Sequence, residues 1–113
     1  MVKSYASALD LKDDKVLIEE YKKYHQNVWP EVKNSLLGIG ILEMKIYLLG
    51  NHLFMYYETN DSFDPQVDFQ RYATDNPKTS EWDNLMRKFQ QKLKEAKPTE
   101  WWASMEQVFD LTQ

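Results

Sequence analysis

Apolar positions recur at three and four along residues 16–37. Val16 or Leu17, then Tyr21, Tyr24 and Val28, follow a period near 3.6, which predicts an amphipathic helix. Asp13 and Asp14 stand before it, where carboxylates cap free amides and oppose the helix dipole. The Trp29-Pro30 step interrupts the pattern. Proline lacks the amide donor and pushes the preceding residue out of the helical region. The helix should therefore break there and restart with Pro30 in its first turn. Val32, Leu36 and Leu37 continue the apolar face until Gly38 stops it.

Strands flank this unit. Residues 2–11 lack turn formers and alternate in part, with Tyr5, Ser7 and Leu9 against Ala6 and Ala8; a first strand follows, with small residues on one face. Residues 39–49 set Leu42, Met44, Ile46 and Leu48 against Glu43, Lys45 and Tyr47. Gly50-Asn51 is a two-residue hairpin signal, so residues 52–58 form the paired third strand. That strand is apolar on both faces, through Leu53, Phe54, Met55, Tyr56 and Tyr57.

After a polar loop over 59–65, Val67, Phe69 and Tyr72 suggest a short helix. Asp75-Asn76-Pro77 marks a break. Trp82, Leu85, Met86, Phe89 and Leu93 then predict a helix to about Ala96, with Lys88 to Lys97 as its wet face. Lys97-Pro98-Thr99 links it to a last strand over 101–111. There Met105, Phe109 and Leu111 share one face and Glu106, Val108 and Asp110 the other; Trp101 and Trp102 fall on opposite sides. The order β-α-β-β-α-β is a ferredoxin-like α+β plan, an antiparallel sheet with helices on one face. The doubly apolar strands then require the second face to meet another subunit, enclose a pocket, or both.

Composition narrows the function. The 113 residues suit one domain, 1–113. With 42% apolar residues a core is affordable, and with 14% aromatics some polar-tipped rings should line a pocket or interface. Net charge is −4 and no basic run occurs, which disfavours nucleic acid. Cysteine is absent, so disulfides, thiolate metal sites and a cysteine nucleophile are excluded. No apolar run reaches membrane-span length, and a soluble cytoplasmic protein is the expectation. The two histidines lie on distant elements without a carboxylate cluster, so no metal site is expected.

The densest chemistry lies at the broken helix. Tyr21 and His25 are four apart and share a face; Trp29 closes the stretch. A hydroxyl, an imidazole and an indole held together suit a small polar molecule. The plainer readings are a structural histidine bonded to a neighbour, Tyr21 at the core edge, Trp29 as packing and Trp82 as part of an apolar stripe. His52, beside the hairpin, reads as solvated. Glu58 and Glu106 could orient a tyrosine or histidine, or form edge ion pairs.

Tyr21-x-x-x-His25-x-x-x-Trp29-Pro30-Glu31, the Ile46-Tyr47-Leu48 strand, Phe54 with Glu58, Trp82-x-x-x-Met86 and Met105-Glu106-x-Val108-Phe109-x-Leu111 together resemble the L-rhamnose mutarotase family, with the related L-fucose mutarotases. The resemblance spans nearly the whole chain. It implies a dimeric α+β barrel, two sheets packed across a two-fold axis. It also implies interconversion of the α and β anomers of a 6-deoxy-L-hexose without metal or cofactor. By motif match His25 corresponds to the proton donor; on chemical grounds Tyr21 is expected to assist it as a second catalytic residue. Tyr21, Tyr47 and Trp82 correspond to sugar-contacting positions, and Trp29 stands beside them. The rhamnose enzymes often carry a second tryptophan next to the position of Trp82; Asp83 stands here, and the run Glu81 to Met86 with Trp101-Trp102 looks closer to the fucose branch.

The chemistry fits these residue types. Opening a hemiacetal ring removes a proton from the anomeric hydroxyl and delivers one to the ring oxygen. Histidine, with an ordinary pKa of about 6.5, can serve in both directions. Two other functions suit the same frame. A cofactor-free monooxygenase or haem-degrading protein would need a larger, more apolar cavity, and a non-catalytic dimeric binding module would use the aromatics only as interface.

Overall fold

The central element of the sheet is β1 (Lys3–Leu11), because three other segments depend on it for pairing. In this computed structural model, which describes residues 2–112, β1 runs antiparallel to β3 (His52–Thr59), in register from Lys3 opposite Thr59 to Asp10 opposite His52. On its far side β3 pairs with β2 (Ile41–Leu49). The free edge of β1 takes two short strands at different heights. β4 (Gln90–Gln91) lies opposite Leu11 and Asp10, and β5 (Ala103–Ser104) opposite Ala8 and Ser7. Together they fill the fourth-strand place of the ferredoxin-like plan.

Four helices cover one face of the sheet. α1 (Lys15–Gln26) starts where the Asp14 carboxylate accepts the amides of Val16 and Leu17 at 2.9 and 3.2 Å. α2 (Pro30–Gly38) follows the Trp29-Pro30 break as expected, with Trp29 at its N-cap and Pro30 its first residue. α3 (Pro65–Asp75) and α4 (Pro77–Arg87) meet at Asn76, whose side chain caps α4 through the Lys78 amide at 2.8 Å. Leu9, Leu11, Leu53, Met55 and Tyr57 of the sheet are buried, as are Val32, Tyr72, Trp82 and Met86 of the helices. The hairpin turns at Gly50, whose φ of +62° lies in the left-handed region that costs glycine nothing.

Three local expectations are corrected. The last helix ends at Arg87 rather than near Ala96. Its final turn tightens, with the Phe89 amide on the Met86 carbonyl at 3.0 Å, and the chain then joins the sheet, the Lys12 amide reaching the Phe89 carbonyl at 2.8 Å. Pairing with the free edge of β1 buries Phe89 and Gln90, a tertiary gain that overrides a helical period. The long C-terminal strand shrinks to Ala103–Ser104, followed by one further bond from the Met105 amide to the Ala6 carbonyl. Beyond it the segment finds no strand of its own chain, and Phe109 is 74% exposed. Leu42 leaves the core row. A register shift between Ile41 and Glu43 puts Ile41 in its place and leaves Leu42 55% exposed.

The third strand is apolar on both faces, as expected, but only one is covered here. Leu53, Met55 and Tyr57 meet the helices, while Phe54 and Tyr56 lie on the opposite, open face. Among the described residues no helix is long and apolar enough to cross a membrane.

Candidate functional site

The broken helix and α4 build one aromatic cluster. α1 presents Tyr21, Tyr24 and His25 on adjoining faces because of their three- and four-residue spacing. Trp29 sits at the break, and α4 brings Trp82 from across the helical layer. The Tyr21 and His25 rings lie 4.2 Å apart, centre to centre. Trp82 meets His25 edge-on at 5.5 Å, Trp29 at 5.2 Å and Tyr24 at 6.3 Å. Phe89 floors the cluster, 5.8 Å from Tyr24 and 6.4 Å from Tyr21.

Four of the five residues singled out from the sequence thus converge: Tyr21, His25, Trp29 and Trp82. Tyr47 does not join them. It is 56% exposed on the open sheet face, stacked on Phe54 at 6.1 Å. The reason is strand alternation: Met44, Ile46 and Leu48 pack against the core, so Tyr47 must point away. His52 is solvent-facing, as expected, and pairs with Asp10 at 2.8 Å. Glu58 accepts the Tyr56 hydroxyl at 2.6 Å on the open face.

The imidazole is held in a defined state. His25 Nδ1 lies 2.9 Å from the Tyr21 carbonyl oxygen. A carbonyl only accepts, so Nδ1 carries the hydrogen, and in the neutral ring Nε2 presents a free lone pair. Burial lowers the His25 pKa below its ordinary 6.5, and the bond to the Tyr21 carbonyl opposes this in part. The neutral, Nε2-basic form is therefore the resting one at neutral pH.

Tyr21 is nearly sealed, 4% exposed. Burial pushes its hydroxyl up to about 12, against a hydrogen bond from the Gln90 side chain. Gln90 in turn accepts the Trp101 indole N–H at 2.8 Å, and Arg87 lies over the Trp101 ring at 4.6 Å. Beside Trp82, the Asp83 carboxyl is raised to about 6. Burial is the larger cause, opposed by Arg87 and by the Tyr72 hydroxyl at 3.5 Å.

Sequence reasoning did not include Tyr24, Phe89 or Gln90 in the site. Tyr24 was legible from its three-residue offset from Tyr21. Gln90 was hidden inside a segment that reads as helix.

His25 is half-buried and reaches the surface beside Tyr24. An open groove of about 380 Å³ runs along this flank of α1, lined by Glu20, Lys23, Tyr24 and Asn27. Of the aromatic cluster only Tyr24 lines this groove; His25, Tyr21, Trp29 and Trp82 do not. A second groove, of about 270 Å³, lies at the start of β1 and includes Ser4, Tyr5, Tyr56 and Met105.

The chain is similar to known proteins along most of its length. The family model described as L-rhamnose mutarotase matches residues 4–111. A UPF0734 protein of Dictyostelium discoideum is 62% identical over 112 residues, covering 96% of this chain and 90% of that protein. An L-fucose mutarotase of Xanthomonas campestris pv. campestris is 37% identical over 107 residues, covering 93% of this chain and 85% of that protein. The crystal structure of an L-rhamnose mutarotase from Formosa agariphila superposes with a TM-score of 0.68 at 23% identity, covering 96% of this chain and 98% of that one.

Proposed function

The chain belongs to the L-rhamnose mutarotase family, and from that premise we propose that it is a sugar mutarotase acting on a 6-deoxy-L-hexose, with His25 and Tyr21 as the proton-transfer pair. The observation that carries this is the bond from His25 Nδ1 to the Tyr21 carbonyl. It leaves Nε2 with a free lone pair on a ring that burial keeps neutral.

In the proposed reaction, Nε2 takes the proton of the anomeric hydroxyl. The released O–H electron pair becomes the second bond of the C1 carbonyl, and the C1–O5 bond breaks toward O5. O5 collects a proton from the Tyr21 hydroxyl, leaving imidazolium and phenolate. Rotation about C1–C2 exposes the other carbonyl face. Ring closure then runs the same transfers backward and restores both side chains. Positioned acid–base catalysis of this kind contributes about 10²–10⁴-fold, on top of a mutarotation that already proceeds unaided in water. Trp29, half-buried at the helix break and packed on the buried Trp82, offers indole surface to the C–H side and methyl group of the sugar. The 37% identity to an L-fucose mutarotase, and Asp83 after Trp82, support L-fucose over L-rhamnose.

The open sheet face carries Leu42, Tyr47, Leu49 and Phe54 as exposed apolar side chains. A second copy packed sheet to sheet would cover them. On this reading Tyr47 serves the subunit contact rather than the His25 cluster.

Saturation-difference NMR of the anomeric protons tests the assignment directly. Added protein should speed anomer exchange in equilibrated L-fucose more than in L-rhamnose. No acceleration of either sugar would remove the mutarotase reading.

A further inference from the structure

Two hydroxyl-bearing residues, buried where they line the second groove, have no side-chain partner in the chain. Ser7 is 6% exposed and Tyr57 4%, and the groove they line holds about 270 Å³. Strand alternation puts Tyr5 and Ser7 on the same side of β1 as the buried Leu9, and Tyr5 stands opposite Tyr57 in the β1–β3 pairing. The two phenol rings stack at 5.1 Å, with 17° between their planes. Burial, helped by the nearby Tyr5, pushes the Tyr57 hydroxyl up to about 12, so it keeps its hydrogen at neutral pH. Among the described residues no fully buried side-chain nitrogen or oxygen lacks a hydrogen-bond partner. The Ser7 and Tyr57 oxygens bond to no other group of the chain, so each keeps an open side, and the space both residues line is this groove. Met105, Glu106 and Gln107, at and beyond the end of β5, complete the lining.

We propose that this groove is a second binding site, for a small neutral polyhydroxyl ligand of monosaccharide size. Its volume lies just under the range of about 300–1,000 Å³ that ordinary small-molecule sites span, so it suits one sugar ring rather than a nucleotide or a peptide. A hydroxyl donates one hydrogen and accepts on two lone pairs, and the Gln107 amide likewise offers both functions. A polyol matches that mixture. An anion would use the donors alone and would meet the Glu106 carboxylate, and among the described residues no cationic side chain lines the groove. The site is separate from the His25 cluster. It lies at the start of β1, whereas Phe89 of that cluster joins the chain at Lys12, just past the end of β1. Binding here involves no ring opening, so the inference does not depend on the mutarotase reading.

Amide proton–nitrogen NMR spectra of the wild-type protein, titrated with methyl α-L-fucopyranoside, test it. The methylated anomeric oxygen blocks ring opening, so no turnover disturbs the spectra. Residues 4–7, 57 and 104–107 should shift and saturate together with a Kd in the millimolar range, independently of any shifts over 21–29. Ser7→Ala and Tyr57→Phe each remove one hydroxyl, and each should weaken that Kd about threefold or more. Gln107→Ala, on an exposed segment, should weaken it about twofold or more, and it carries the test if neither buried variant folds. Unmoved groove amides at about 50 mM glycoside, or a wild-type Kd in every folded variant, would overturn the inference. Shifts of the same amides with tetramethylammonium but not with the glycoside would assign the rings and Glu106 to a cation and overturn it equally.

Discussion

His25 returns its Nδ1 to the carbonyl oxygen of Tyr21, 2.9 Å away and one helical turn earlier, while the two rings lie 4.2 Å apart. One residue thus supplies both the anchor that fixes the imidazole and the hydroxyl proposed to work with it. The four-residue spacing alone delivers this pairing, since it stacks successive side chains on one helix face.

Removing the imidazole should abolish most of the catalysis. His25→Ala is expected to slow anomer exchange by about 10²-fold or more, with circular dichroism unchanged. A loss under about threefold would show that the proton transfers are made elsewhere. The anomeric proton exchange measured by NMR decides between these outcomes.

The acid limb of the pH–rate profile should lie below pH 6.5, the ordinary histidine value from which His25 is lowered. The neutral ring is the active base, so kcat/KM falls as protons are added, and burial delays that loss to lower pH. Stability follows the same sign. Below pH 6.5 the unfolded chain protonates this histidine while the folded one resists, so the unfolded state binds more protons and folding weakens as pH falls. From pH 7 downward the melting temperature of wild type should fall relative to that of His25→Gln, and parallel pH profiles would refute this linkage.

Asp83 has the opposite linkage. Its carboxyl is raised from 3.8 to about 6 chiefly by burial, so the folded state holds the proton longer than the unfolded one. The associated stability is present at pH below 3.8 and is lost as pH rises through about 6. Asp83→Asn should therefore stabilise the protein at pH 7–8, by at most about 3 kcal/mol. At pH 4 it should leave the melting temperature nearly unchanged, because the wild-type carboxyl is then mostly protonated. A lower melting temperature for the variant at pH 8 would show that the attraction to Arg87 outweighs the burial.

Covering the open sheet face with a second copy predicts a concentration-dependent equilibrium. Phe54→Glu places a charge where the Phe54 and Tyr47 rings stack, and should convert a dimer to a monomer in sedimentation velocity. A wild-type protein that sediments as a monomer at high micromolar concentration would refute the sheet-to-sheet assembly.

Most of the sheet and helix order was readable because burial is one-sided and each period declared itself. Asp14, Pro30, Asn76 and Gly50 mark boundaries through caps, missing donors and positive φ. The errors lie where long-range pairing decided the outcome. Phe89 keeps perfect step with Trp82, Leu85 and Met86, yet its carbonyl is taken by Lys12, a partner that no local period can announce. The C-terminal apolar alternation is genuine, but alternation does not say which strand is available to pair. In the site, helix spacing predicted Tyr21 with His25, whereas the approach of Trp82 and the Gln90–Trp101 link depend on how separate elements dock.

Three of the four tryptophans gather on the helical side near the imidazole or its hydroxyl neighbour, and none lies on the open sheet face. Trp82 stands 5.5 Å from the His25 ring, close enough for a charged imidazole to quench indole emission. Intrinsic fluorescence should therefore brighten as His25 loses its proton and respond to sugar entering beside it, while subunit separation leaves the signal dark. The protein carries its own optical probe of that one ionisation, with no label to attach.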